Sequence, residues 1–192
     1  MKLQAMQDLL QAALPKKRYE HSLGVLAAAK ELAAIYEVDL KKTAIAALLH
    51  DCGREIPTKE SVGKALELGV VVDPIEKSQP ILLHAKLGVY YAKHKYGVAD
   101  KEILKAIRLH TTGDAGMDKL AKIVYLADLI EPHRDYEGVE VLRELVKQDL
   151  DTAMVRAYGQ TMQYLLAQNL LIHPSCVAGY NEIILQRKKI KA

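Results

Sequence analysis

Six residues that favour metals or protons are spread along the chain: His21, the adjacent pair His50-Asp51, His84, His110 and Asp128. A neutral imidazole beside a carboxylate offers one nitrogen and two oxygens to a divalent ion. His21, His50, Asp51 and Asp128 together make a set of two nitrogens and two carboxylates. Mixed ligation of this kind suits iron, manganese or zinc better than calcium. Two carboxylates nearly neutralise one divalent ion, and open positions remain for water and a phosphate oxygen. Metal-assisted phosphoester or anhydride hydrolysis is the chemistry such a set serves. His84 and His110 open two routes. They can hold a second ion about 3.5–4 Å from the first, with Asp51 bridging. Alternatively, they give hydrogen bonds or protons to a phosphate around a single ion. The sequence leaves both routes open.

These residues converge only if the elements carrying them pack together. Val25, Ala28, Leu32 and Ile35 extend the face that His21 begins, at offsets of 4, 7, 11 and 14. That is one helical stripe. Ile103, Ile107 and His110 repeat the pattern at 0, 4 and 7, and Val124 and Asp128 lie four apart. The apolar stretch Ala44 to Leu49 predicts a buried helix that delivers His50-Asp51 at its end, with Gly53 as the C-terminal stop. An unpaired buried carboxylate is costly, and a metal ion is one efficient partner. Asp39, Asp100 and Asp118 are expected helix starts. The Val70-Val71-Val72 run, bounded by Gly69 and Asp73-Pro74, reads as a loop or short extended link. No internal repeat or long linker interrupts the pattern. The expectation is a single all-α domain over residues 1–192, a bundle of roughly eight to ten helices.

The remaining composition narrows the function classes. The 192 residues carry 27 Lys and Arg against 24 Asp and Glu, a net charge of +3. That balance is too weakly and too evenly basic to argue for nucleic acid. Lys16-Lys17-Arg18 reads as a solvated helix start, and Arg187-Lys188-Lys189 as part of a short basic tail. No apolar run reaches the length of a membrane span. No signal peptide is visible, and two distant cysteines, Cys52 and Cys176, suit a reducing cytoplasm. Ten tyrosines stand without a single Phe or Trp. The expected core is therefore Leu, Ile, Val and Ala with Tyr at its edges. Tyr19, Tyr125 and Tyr136 are weighed as base-stacking groups, with core-edge packing the preferred role. His94 reads as surface, His133 as a loop residue outside the cleft, and His173 as a turn before Pro174. Cys52 reads as a small buried filler, since nothing pairs it with a base.

With these residues placed, the chain resembles the HD superfamily of metal-dependent phosphohydrolases, and within it the bacterial YqeK-like family. The segments that carry the resemblance are RYEHSLGV at 18–25, AALLHDCGRE at 46–55 and AIRLHTTGDAGMDKLAKIVYLADLIEPHRDYEGV at 106–139. The later KQDLDTAM and YLLAQNLLIHP segments also match, so the likeness spans about residues 18–181. The resemblance implies an HD-domain bundle that hydrolyses diadenosine tetraphosphate symmetrically to two ADP, with iron as the expected ion. It implies His21, His50, Asp51 and Asp128 as metal ligands. It places His84, His110 and Arg134 on the substrate side, and Arg18 beside them within reach of a phosphate.

Two positions depart from that pattern. Gly53-Arg54 stands where a small residue and Lys are common, and Arg offers a planar fork in place of a point charge. Ala85-Lys86 stands where Gly-Pro is expected after the histidine. The mechanism implied has a water proton taken by Asp51 or by a neighbouring histidine, His84 or His110. Arg18, Arg54, Arg134 and Thr111 then contact phosphate. Two other readings stay open: an HD phosphohydrolase of a deoxynucleotide, cyclic nucleotide or guanosine alarmone, and a nucleotide-binding regulatory module with little turnover. A homodimer is compatible with the apolar helix faces.

Overall fold

A computed structural model describes residues 1–190. Eleven α-helices and three short 3-10 turns are present, and no strand occurs among the described residues. The helices are α1 (Leu3–Ala13), α2 (Lys16–Ile35), α3 (Leu40–Leu49), α4 (Ser61–Glu67), α5 (Pro74–Ser78) and α6 (Leu83–His94). They continue with α7 (Lys101–Leu109), α8 (Lys119–Ile130), α9 (Val139–Gln148), α10 (Leu150–Ala167) and α11 (Pro174–Ile190). The count exceeds the expected eight to ten because α4 and α5 are too short to leave a helical period in the sequence. The Val70–Val72 run has no regular structure, as its flanking residues predict.

Asp39, Asp100 and Asp118 each cap a helix. Their carboxylates accept the backbone N–H groups of Lys41 and Lys42, of Glu102 and Ile103, and of Ala121. Each cap satisfies donors that the helix start leaves open. Arg187, Lys188 and Lys189 are helical. They form the last part of α11, where Arg187 donates to Thr152 Oγ1 and Asp149 Oδ1. No helix among the described residues is long and apolar enough to cross a membrane.

Helix α2 lies against α3 and α8, and α7 packs on α3, α6 and α8. The 3-10 turn Cys52–Glu55 packs against α6, and α10 braces α8, α9 and α11. One apolar cluster joins these elements from Met6 to Ile183. Tyrosine does not stay at its edge: Tyr96 and Tyr158 are the largest fully buried side chains, and Tyr125 is buried too. With no Phe or Trp to supply large rings, the core takes Tyr. The Tyr158 hydroxyl is accommodated by donating to Met117 Sδ at 3.4 Å.

Candidate metal centre

The six residues singled out by the sequence meet in one buried cluster. Helix α2 supplies His21 from its first half and α8 supplies Asp128 from its last turn. His50 and His110 are the residues that close α3 and α7, and His84 is the second residue of α6. Local sequence explains these placements. After His110, the Thr111-Thr112-Gly113 stretch turns the chain: Gly113 takes a left-handed φ of 63°, and its N–H donates to Leu109 O. A side chain at Gly113 would meet the Tyr158 ring, so glycine serves both the turn and the packing.

Gly53 does not act as the stop of α3. It sits inside the 3-10 turn Cys52–Glu55, with no left-handed φ. Its hydrogen faces the backbone of α6, where a Cβ would lie 2.2 Å from His84 O and 2.6 Å from Gly88 N. Absence of a side chain therefore brings Asp51 up to His84.

Hydrogen bonds fix the state of each imidazole. His50 Nδ1 lies 2.7 Å from Ala47 O, His110 Nδ1 lies 2.7 Å from Ile107 O, and His84 Nδ1 is bonded to Ile81 O. A carbonyl only accepts, so each Nδ1 is the protonated nitrogen. His21 follows the same rule through a carboxylate, with Nδ1 at 3.2 Å from Glu131 Oε1. All four rings therefore present an Nε2 lone pair when neutral, and these point at one another and at the two aspartates. His84 and His110 Nε2 are 3.0 Å apart, and His50 and His21 Nε2 are 3.3 Å apart. Asp51 Oδ1 lies 3.2 Å from His84 Nε2 and 3.6 Å from His110 Nε2, while Asp128 Oδ1 lies 3.1 Å from His21 Nε2.

Acceptors facing acceptors at these distances repel unless a proton or cation stands between them. Thr111 Oγ1 lies 3.0 Å from both His84 and His110 Nε2, but its single proton serves only one. The donor set thus fits a divalent ion. Three groups, His21/His50/Asp51, His50/His110/Asp128 and Asp51/His84/His110, have ligand atoms within 4.8 Å of one another. Each Nδ1 bond to a backbone carbonyl or carboxylate is the outer partner that orients a metal-binding imidazole.

Electrostatics agree. Burial lowers the basicity of His50 and His84, to about 4 and about 3, which keeps both neutral near pH 7. Burial alone would raise Asp51, but His50, His110, His84 and Arg54 outweigh it and hold the carboxyl well below its usual range. Asp128 is likewise lowered: burial opposes ionisation, and His21, His50 and Arg134 overcome it. Burial also works against a charge on His21, yet Asp128 and Glu131 raise it.

Three arginines stand around the carboxylates. Arg54 Nε donates to Asp51 Oδ1 at 2.6 Å, Arg18 Nη1 lies 3.3 Å from Asp51 Oδ2, and Arg134 holds Asp128 through Oδ1 and the backbone carbonyl. Arg18 is thus not part of a solvated helix start, although Lys16 and Lys17 are exposed as expected.

Glu131 is the residue that sequence reasoning missed. It is buried, anchors His21, and accepts the N–H and Nδ1–H of His133. Its spacing of three from Asp128 places both carboxylates on one side of the α8 end, and that spacing was the available signal. Gly24 makes room for it, since a Cβ there would lie 2.5 Å from Glu131 Oε2. His94 is exposed as expected. His133 is exposed and turned to Glu131, and His173 bonds Asp73 at 3.1 Å. Cys52 is a buried filler whose thiol burial pushes above its ordinary range. Tyr125 is core, with its ring 5.4 Å from that of Tyr158.

Known proteins resemble this chain over most of its length. A bis(5'-nucleosyl)-tetraphosphatase, symmetrical, of Halalkalibacterium halodurans is 37% identical over 181 residues, covering 94% of this chain and 96% of that protein. The protein of the same description from Bacillus subtilis is 37% identical over 171 residues, 89% of this chain and 91% of its own. The crystal structure of a predicted HD superfamily hydrolase involved in NAD metabolism from Clostridium acetobutylicum superposes with a TM-score of 0.92 at 34% identity. It covers 97% of this chain and 98% of that one. The HD domain family matches residues 18–133, the span that holds all six residues of the cluster; the chain belongs to the HD-domain family.

Proposed function

We propose that this protein is a metal-dependent phosphohydrolase that splits diadenosine tetraphosphate symmetrically into two ADP. The observation that carries the reading is the convergence of four Nε2 lone pairs on Asp51 and Asp128. The names of the relatives, symmetrical tetraphosphatases over nearly their whole length, supply the substrate.

In this reading His21, His50, Asp51 and Asp128 hold the ion, with iron the expected metal and manganese or zinc the alternatives. When bound, the ion polarises a phosphoryl oxygen and makes water more acidic. The protein's own groups do the rest. Asp51 Oδ1 and His84 Nε2, acceptors 3.2 Å apart, take hydrogen bonds from the attacking water and orient it toward the phosphorus. His110 and Thr111 complete this acceptor cluster. Arg18 and Arg54 each spend one N–H on Asp51. Their remaining N–H groups are available to the phosphate chain, and Arg134 adds charge on the Asp128 side. The group Asp51/His84/His110 also fits a second ion, and metal content per chain decides between one and two.

The test is product analysis on protein purified anaerobically, its metal quantified, beside Asp51→Ala. ADP as sole product, lost together with metal in the variant, is expected. ATP plus AMP overturns the symmetrical assignment. No turnover by metal-loaded protein refutes diadenosine tetraphosphate as the substrate and favours another nucleotide or a regulatory role.

A further inference from the structure

The start of α6 forms a partition between two cavities. Ile81 and His84 line a cavity of about 180 Å³, together with Arg18, Arg54, Ile56 and Pro57. Ala85 and Lys86, on the other side of the same helical turn, line a second cavity of about 200 Å³. Arg108, Thr112, His173 and Ser175 complete its wall, and Asp73 stands at its edge. The two cavities approach each other beside the metal centre, separated by the contact between His84 and Thr111. His84 belongs to the first cavity and Thr111 to the second, and Thr111 Oγ1 is 3.0 Å from His84 Nε2.

Their chemistries differ. The first has two guanidiniums and aliphatic walls, which suit phosphate and the flat face of a base. The second has the cations Lys86 and Arg108, the hydroxyls of Thr112 and Ser175, and the Asp73 carboxylate. Asp73 Oδ1 is occupied by the N–H groups of Ile75 and Glu76, and Oδ2 faces His173 at 3.1 Å and Lys86 at 3.8 Å. Lys86 is held by Glu76 at 2.6 Å, so the cluster is already neutralised from within and is not a further cation site. Arg108 is only loosely engaged, 3.7 Å from Asp114, and half exposed. It is the group able to turn to an incoming anion.

We propose that the second cavity, between α5, α6, α7 and the start of α11, is the binding site for the far nucleotide of a two-ended polyphosphate substrate. This rests on the hydrolase reading above. The phosphate chain crosses the His84–Thr111 boundary with one nucleotide on each side. Arg108 meets the far phosphates, while the Thr112 and Ser175 hydroxyls meet the sugar. A two-ended substrate with equal halves is thereby read by two unlike sites. Cleavage at its centre follows from both ends being held.

The test is equilibrium dialysis of the metal-loaded full chain against ADP, which counts sites without needing turnover. Wild type is expected to bind about two ADP per chain, and Ser175→Tyr, which fills the second cavity, about one. Arg108→Ala, a half-exposed position that does not threaten folding, should weaken only the second ADP, by about tenfold. Melting curves show that each variant is folded. A single ADP site in wild type, or two unchanged sites in both variants, overturns the proposal even where diadenosine tetraphosphate is hydrolysed. Two sites in wild type without any hydrolysis would uphold the two-site geometry while removing the catalytic reading.

Discussion

Gly53→Ala is the sharpest test of how the centre is assembled. The added methyl would lie 2.2 Å from His84 O and 2.6 Å from Gly88 N, whereas ordinary contact begins near 3.4 Å. Both neighbours are backbone, so no side chain can swing away. The turn Cys52–Glu55 and α6 must separate by roughly 1 Å, at an overpacking cost of about 3 kcal/mol, the upper part of the usual range. For a chain of this size that lowers the melting temperature by about 6–12 °C. The same displacement acts on the line between Asp51 Oδ1 and His84 Nε2, now 3.2 Å, so hydrolysis should fall by more than the loss of folded protein accounts for. Gly63→Ala is the matched control: nothing lies within 4 Å of its Cβ, it sits in α4, and it should stabilise by about 0.5–1 kcal/mol. Melting by circular dichroism and ADP release, both with metal present, read the result. A Gly53→Ala protein that melts with wild type and keeps its activity would refute the close-approach argument.

Two further outcomes follow from the outer partners of the histidines and from their burial. Glu131→Gln keeps the size of the side chain but removes the charge opposite His21 Nδ1, and metal affinity should fall about 10–100-fold, measured by competition with a chelating dye. Unchanged affinity would mean Glu131 only fills space. In chelator, folding should weaken as pH drops. The folded values of His50 and His84, about 4 and about 3, lie below the unfolded value. The unfolded chain therefore binds more protons between pH 6.5 and about 4, and each group costs about 1.4 kcal/mol per unit across that window. His21, raised on folding, acts in the opposite sense and offsets part of this. Unfolding free energies from urea titrations at pH 7 and pH 5.5 should differ by about 1–3 kcal/mol without metal, and equal values would contradict the buried neutral imidazoles.

Much of this architecture could be read from the chain. The aspartate caps at 39, 100 and 118 are local chemistry and stand where expected. The helical stripes led from His21 through Val25 and Leu32 and to His110, although Ile35 at the end of the first is exposed, and the apolar stretch before His50-Asp51 did enter the core. What escaped was contact between distant segments. Gly53 looked like a helix stop because its true neighbour, the backbone of α6, is some thirty residues away. Glu131 escaped notice because its role depends on Gly24 making room for it across the bundle. Tyrosine burial was misjudged because amphipathic character argues for an edge, while the absence of Phe and Trp leaves Tyr as the only large ring for the interior.

His50 and His110 close α3 and α7, and Asp128 lies in the last turn of α8. Three helices therefore direct their carboxyl ends at one point. Each such end carries the equivalent of about half a negative charge. Asp128 and Glu131 are placed against that field, where a carboxylate is unfavourable for helix stability alone. The start of α6, which carries His84, returns one positive end, so the helix ends together leave a negative field before any side chain is counted. Arg18, Arg54 and Arg134 then have a duty besides the substrate contacts proposed for them. They temper a potential that would otherwise turn a polyphosphate away, and they leave the deepest point of the field for a cation.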